Sequence, residues 1–360
     1  MSNLKKITGN KMFLPIFCMF LVLLINVVYD VAQGNEFYDF FKIFFAESSS
    51  GDMLLSGRLI NILNRGSEIA ILAVGMTLVV SASAGTDISV GSVMALCASV
   101  CCVILAGPAA PQATELAAPL IVGVLGAIVM GCICGAFNGA MVAYLNIQPM
   151  VATLILWTAA RAIGLLVCNN LIVKVDNATF GILGGYVGFF PTPIIVAAVV
   201  IAAVALVLKL SAMGTYVQSV GINKKASRIA GLNSKKIIFI CYLLCGVCAS
   251  IAGVVASSRI TSADANNIGL NSELDAILAV ALGGNSLGGG RFNLAGSVVG
   301  AYTIQAITTT MYNMGVSSAV APVFKAIVVI IIVAIQAPPV RAFFKKLGAK
   351  RATKKEVSGI

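Results

Sequence analysis

The sequence contains no histidine, and Asp, Glu, Lys and Arg together make up only 10% of its 360 residues. Histidine is a common general base and metal ligand, so its absence argues against a catalytic triad. The sequence also has no G-x-x-x-x-G-K-[ST] phosphate loop, which excludes a conventional ATPase. It lacks the long arginine ladder that senses voltage. We therefore expect no enzymatic activity and no catalytic residue in this chain.

Metal-ligand patterns are also scarce, although the sequence has ten cysteines. Almost all of them lie inside apolar runs, where cysteine behaves as a small hydrophobic residue. The one close pair, Cys132-x-Cys134, has no second pair and no histidine at ligand spacing. The sequence therefore predicts neither a metal site nor a bound cofactor.

The sequence is rich in apolar residues: 59% of the residues are hydrophobic and the mean hydropathy is +1.01. A soluble domain has about 25% charged residues, so this composition requires lipid as solvent. The net charge of +11 sits in short clusters beside apolar runs, without a continuous basic face. This pattern is typical of charge that sets membrane orientation and argues against a nucleic-acid partner.

The apolar runs predict an all-α polytopic membrane protein of about ten transmembrane helices, some short and broken, since about 20 residues cross the hydrocarbon. The 45 uncharged residues from Leu116 to Ala160 exceed one span and predict a turn at Asn146–Pro149. The predicted spans are Met12–Tyr29, Leu59–Ser81, Ile88–Leu105, Ala117–Leu145, Met150–Cys168, Pro191–Leu208, Ile237–Ser257, the short Asp275–Gly284, Leu294–Met311 and Pro322–Ala337.

The charge distribution predicts that both termini are cytoplasmic. Residues 1–11 and 341–360 are basic tails, and residues 12–340 form a single transmembrane domain. A signal peptide is the alternative for the first run. That run is long for a signal core, and no small-x-small cleavage site follows it, so we interpret it as an uncleaved helix.

The basic loop 209–236 contains Lys209, Lys224, Lys225, Arg228, Lys235 and Lys236 and no acidic residue, which predicts a cytoplasmic position. Within it, Ala226, Ile229 and Ala230 form an apolar stripe at helical spacing, and Gly231 is a stop signal. The alternatives for this short helix are a segment lying on lipid, a docking surface for a partner, or simply a solvated basic connector.

Two glycine-rich breaks interrupt the apolar runs, one around Asp87 and one at Gly283–Gly290. Ala70–Val74 recurs as Ala276–Val280, and Gly91–Val93 recurs as Gly296–Val298, so each pair brackets a break. Repeated, interrupted hydrophobic segments indicate the pathway of a transporter. The alternative for Asp87 is a helix cap in a short cytoplasmic turn.

A ridge of small residues marks the fourth predicted span, where Gly131, Gly135 and Gly139 recur every four residues. Such a ridge predicts close helix packing in lipid. In the next span, Arg161 should face protein or reach the interface.

Three stretches resemble the permease subunits of bacterial ribose-type ABC sugar importers. They are Gly85–Leu96, Gly221–Gly231 and Leu274–Phe292, and the likeness runs from about Arg58 to Gln336. Ile147–Leu156, Ser262–Asn267 and Glu273–Asp275 look closest to the galactofuranose branch.

The resemblance implies a permease in the bacterial inner membrane that imports a pentose or hexose. It implies a dimer with a second permease chain, a cytoplasmic ABC ATPase that uses ATP and Mg, and a periplasmic sugar-binding protein. It also implies that the loop carries the ATPase-coupling segment, with Gly221, Asn223, Ala226, Arg228, Ile229 and Gly231.

Sugars need hydrogen-bonding groups and apolar ring faces, and this chemistry selects the candidate pathway residues Asp87, Asn138, Gln148, Thr153, Trp157 and Asp275. Each of them can instead be a polar contact between helices. Two other functions stay open from the sequence: a permease for another small polar solute, such as a nucleoside or an autoinducer-like sugar, and a self-contained ion-coupled secondary transporter.

Overall fold

The computed structural model describes residues 12–34, 36, 38–47, 53–107, 111–317 and 320–336, and this part of the chain is mostly helical. The predicted tails, 1–11 and 341–360, lie outside the described residues. The helices are α1 (Phe13–Ala32), α2 (Arg58–Ser83), α3 (Val90–Ala106), α4 (Leu120–Ala143), α5 (Pro149–Val167), α6 (Ala178–Gly181), α7 (Thr192–Leu210), α8 (Met213–Ile222), α9 (Lys224–Ile229), α10 (Ser234–Arg259), α11 (Ser272–Leu282), α12 (Leu294–Asn313) and α13 (Ala321–Gln336). A 3₁₀ turn covers Asp39–Phe41.

Short strands join some of these helices. β1 (Phe44–Glu47) pairs antiparallel with β2 (Met53–Ser56), and β5 (Tyr186–Val187) pairs antiparallel with β6 (Phe190–Pro191). A third sheet has the order β3 (Gln112–Ala113), β4 (Val173–Val175), β7 (Ser262–Ala263). In it β3 and β4 are parallel and β4 and β7 antiparallel.

Six helices of the described chain are long and apolar enough to cross a membrane: α1, α2, α4, α5, α7 and α10. The apolar helix α3 is shorter, and helices also lie at the other predicted spans. The prediction of a polytopic helical membrane protein is therefore confirmed. The count of ten spans and the side on which each terminus lies remain predictions.

The helices differ sharply in burial. In the most apolar window of α2, 94% of the residues are buried, against 11% for α7. Helix α2 packs against α10, α7 and α11, whereas α7 leaves side chains such as Val199 and Leu206 exposed. An apolar helix with an exposed apolar surface fits lipid contact, so α2 is central and α7 peripheral.

The predicted glycine ridge on α4 is confirmed, because it lies directly on α10. A Cβ added to Gly135 would come within 2.5 Å of the Tyr242 carbonyl oxygen, and one added to Gly131 within 2.5 Å of the Gly246 carbonyl oxygen. Gly139 meets Phe239 in the same way. Side chains at these positions would force the two backbones apart, so the three glycines permit the close approach.

The bundle has two distinct ends, separated by α10, whose 26 residues span about 39 Å. At one end, Ser234 Oγ donates to the Lys224 carbonyl (3.3 Å). At the other, Ser258 Oγ donates to the Phe180 carbonyl (2.5 Å), and Asn177 Nδ2 donates to the Thr114 carbonyl (3.0 Å). The basic loop and the β3–β4–β7 sheet therefore lie at opposite ends.

The described part of the chain divides into two compact units, one up to residue 306 and one from residue 307. The second unit contains the last turns of α12 and all of α13, an apolar helix in which Lys325 is the one charged residue. The residues discussed below belong to the first unit.

Candidate functional site

The site is organised by the break between α2 and α3. Helix α2 ends at Ser83, and its C-cap residue, Ala84, takes the left-handed conformation (φ 56°). Gly85 then lies against the ring of Pro149 at the start of α5, where a Cβ would come within 2.5 Å of the ring. This contact leaves room only for glycine, and it turns the chain inward toward the next helix.

Asp87 lies in this break and is 3% exposed. Its Oδ1 accepts from the Ser89 N–H (2.9 Å) and from Ser89 Oγ (2.6 Å), a turn typical of aspartate. Helix α3 begins at Val90, without a side-chain cap at Ser89. The carboxylate of Asp87 is therefore buried and hydrogen-bonded by neutral donors, and Ser89, not Asp87, precedes the first residue of α3.

Asn138 of α4 completes this cluster. Its Nδ2 donates to Ser89 Oγ (2.9 Å) and makes long contacts of 3.5 Å to both carboxylate oxygens of Asp87. Its Oδ1 is buried and finds no hydrogen-bond partner among the described residues. Asp87, Ser89 and Asn138 line a cavity of about 10 Å³, with Gly135 and Gly246 among its other walls. A cavity of that size holds about one water or one hydroxyl group.

A polar stripe on α5 extends from this cluster. Thr153 Oγ1 accepts from the Ile88 N–H (3.2 Å), and Trp157 Nε1 donates to Glu273 Oε1 (3.2 Å). Arg161 Nη1 donates to carbonyls of the loop before α11, at 2.6 Å for the first of them. Since these residues follow one another at four-residue spacing, they share one helix face over about 12 Å. The prediction that Arg161 faces protein is confirmed.

Glu273 is not one of the predicted site residues. It is only 5% exposed, and its side chain lies against the backbone of Gly91 in α3. It stands in the first turn of α11, two residues before the half-buried Asp275. Gln148 is exposed in the turn before α5. Of the predicted pathway residues, Asp87, Asn138 and Thr153 therefore lie close together. Trp157 lies nearby and binds Glu273. Gln148 and Asp275 lie outside the Asp87 cluster.

The second break, between α11 and α12, holds its own polar network. Asn285 Nδ2 donates to Ser297 Oγ (2.7 Å), and Thr77 Oγ1 of α2 donates to the same oxygen (2.7 Å). Ser297 belongs to the repeated Gly-Ser-Val motif, and Asn285 lies in the predicted break Gly283–Gly290, so the sequence carried two signals for this network. The second break is thus tied to the central helix α2.

The basic loop contains the predicted short helix, α9. Asn223 caps it by accepting from the Lys225 and Ala226 N–H groups, both at 3.0 Å. Ala226 and Arg228 are exposed, and the side chain of Ile229 is 89% exposed. Gly231 follows with φ 84°, a left-handed end that suits glycine. Partial burial lowers the pKa of Lys224.

No group of three or more His, Cys, Asp or Glu residues that could hold a metal ion occurs in the described part of the chain. The ten cysteines are free thiols, nine of them buried. The arrangement therefore offers hydrogen-bonding groups inside the bundle and an exposed apolar stripe at one end.

Known proteins match this chain over most of its length. Residues 58–335 match the family described as "Branched-chain amino acid transport system / permease component". The galactofuranose transporter permease protein YtfT of Escherichia coli is 42% identical over 286 residues, covering 79% of this chain and 81% of the relative. The fructose import permease protein FruF of Bifidobacterium longum is 35% identical, covering 90% and 88%. The ribose import permease protein RbsC of Escherichia coli is 35% identical, covering 76% and 84%. No solved structure matches the chain.

Proposed function

The chain belongs to the family of transport-system permease components, and from that premise we propose that it is the membrane-spanning subunit of an ABC importer for a monosaccharide. The observation that carries this proposal is the identity of 42%, 35% and 35% to galactofuranose, fructose and ribose permeases over most of the chain. We expect a pentose or hexose as the solute.

The family description names branched-chain amino acids, and the Asp87 cluster favours a sugar over that alternative. A free amino acid is a zwitterion, and each of its two charges would need a partner of opposite charge if it were buried. The groups hydrogen-bonded to Asp87 are the neutral Ser89 and Asn138. Neither group supplies the positive charge that the carboxylate of an amino acid would need, whereas both can hydrogen-bond to sugar hydroxyls.

We place the solute pathway at the two helix breaks. The unpartnered Oδ1 of Asn138 can accept from a sugar hydroxyl, and Trp157 offers an apolar ring face. Irregular backbone at membrane depth is tolerated where it faces protein or a water-filled cavity, as around Asp87. Thr153, Gln148 and Asp275 remain candidate pathway residues in this proposal.

We place the ATPase contact at the segment Gly221–Gly231. Its apolar stripe of Ala226, Ile229 and Ala230 is exposed on and beside a compact capped helix, which fits insertion into a groove of a partner. Lys225 and Arg228 would lie at the rim and tune association and its salt dependence. The ATPase, not this chain, would bind ATP and Mg.

The remaining partners follow from the same proposal: a second permease chain, a periplasmic sugar-binding protein and the bacterial inner membrane, with ten spans and both termini cytoplasmic. Uptake of a panel of labelled sugars tests the function, in cells with the chain present or deleted and again with its neighbouring genes deleted. We expect uptake of one monosaccharide to require the chain. Unchanged uptake of every sugar on deletion would contradict the proposal.

A further inference from the structure

The glycines of the second helix break, in the loop between α11 and α12, have no assigned role in the function proposed above. Three of its glycines adopt positive φ: Gly284 (77°), Gly289 (84°) and Gly290 (94°). These conformations favour glycine, so the path of the loop is specified by its sequence. The loop contacts two other parts of the chain, the end of α2 and the last turn of α8.

The first of these is the end of the central helix α2. The Gly290 N–H donates to the Ser81 carbonyl at 3.0 Å. Next to it, a Cβ added to Gly289 would come within 3.0 Å of the Ala84 side chain. The loop is therefore held by backbone contacts to the last turn of α2.

The second is the start of the segment that we place against the ATPase. Gly221, in the last turn of α8, lies directly on the same Ser81 carbonyl, so that an added Cβ would overlap this oxygen. That Cβ would also come within 2.6 Å of the Gly290 nitrogen. Two residues later, Asn223 begins α9. Ser81, Gly221 and Gly290 thus meet backbone to backbone, and we refer to these three residues as the junction.

The junction connects the surface helix to both helix breaks. On one side, the chain passes from Ser81 through Ala84 and Gly85 to the buried Asp87. On the other, Gly290 belongs to the break that holds Asn285 against Ser297. Main-chain contacts therefore link α9 to both breaks, without a flexible side chain between Ser81, Gly221 and Gly290.

We propose that the junction is the positioning contact through which movement of the docked ATPase is transmitted to the two helix breaks. Gly289 and Gly290 then serve coupling, not solute binding. This inference rests on the proposed function, because it requires that Gly221–Gly231 docks the ATPase. It predicts a separation of two properties: the junction governs transport per ATP hydrolysed, and the stripe of α9 governs ATPase binding.

The test uses the full complex of permease, ATPase and sugar-binding protein in proteoliposomes. For Gly290→Ala, whose added Cβ would come within 2.9 Å of the Ile222 side chain, we expect wild-type ATPase stoichiometry and retained ATP hydrolysis, with sugar transported per ATP lower by about tenfold. Gly188→Ala is the matched control, since Gly188 also has a positive φ (59°) and an added Cβ there meets nothing within 4 Å. The control should transport as the wild type does.

A wild-type transport ratio for Gly290→Ala would overturn the inference and leave the proposed function intact. Failure of the wild-type permease to bind the ATPase would instead contradict the proposed function. If Gly290→Ala does not insert, Ala84→Gly decides, because it removes the methyl group beside Gly289 and cannot create an overlap. We then expect a reduced transport ratio with the ATPase retained, and an unchanged ratio would overturn the inference.

Discussion

The exposed isoleucine of α9 gives the sharpest prediction about ATPase binding. The Ile229 side chain is 89% exposed in the chain alone, so its apolar surface is available to be buried in a partner groove. Ile229→Ala removes three carbon atoms, each worth about 0.8 kcal/mol when buried, or roughly 2 kcal/mol in total. That loss corresponds to a Kd for the ATPase about 30-fold weaker.

The assay is direct binding of the purified ATPase to the permease in lipid nanodiscs. Alanine has the highest helix propensity, so the substitution should not destabilise α9 itself. Ile121→Ala is the matched control, because Ile121 is 61% exposed in the first turn of α4, at the opposite end of the bundle. Its Kd should equal that of the wild type.

A charge on the same stripe should act more strongly. Ala226→Glu would bury an unpaired carboxylate in the contact, and we expect the permease to fold and insert but to lose the ATPase in co-purification. If Ile229→Ala and Ala226→Glu both bind the ATPase with wild-type affinity, α9 is only a solvated connector and the docking argument fails.

Three further predictions concern the membrane domain. Cysteines introduced at Ser234 and Asn177 should be labelled from opposite sides of the membrane, and labelling of both from one side would contradict the topology. Asn138→Ala should lower the transport rate by about tenfold, the cost of one hydrogen bond, while the ATPase still co-purifies; an unchanged rate removes Asn138 from the pathway. Gly135→Val should destabilise the helix packing by about 1–3 kcal/mol, seen as a lower Tm in detergent, and an unchanged Tm would argue against the α4–α10 contact.

Local patterns in the sequence predict much of this fold. The apolar runs locate the membrane helices, since hydropathy depends on composition alone. The glycines of α4 predict their own packing face, because Gly131, Gly135 and Gly139 recur every four residues. The surface helix α9 is predicted by its apolar stripe and by Gly231, and these signals are also local.

Contacts between distant segments are what local patterns miss. Glu273 stands in a polar stretch and resembles a solvated charge, yet the chain folds it against Gly91 and Trp157. Ser89 is an ordinary serine in the sequence and becomes central because Asn138, 49 residues later, donates to it. Thr77 and Ser297 are 220 residues apart. Packing of the whole bundle, rather than periodicity, decides such pairs.

The most direct test of the proposed function is reconstitution of the purified chain in proteoliposomes, alone or with the ATPase and the sugar-binding protein. We predict that labelled monosaccharide accumulates only when both partners and ATP are present, and that an ion gradient alone drives no uptake. Sugar accumulation by the chain alone, driven by an ion gradient and independent of ATP, would identify a secondary transporter and contradict the account.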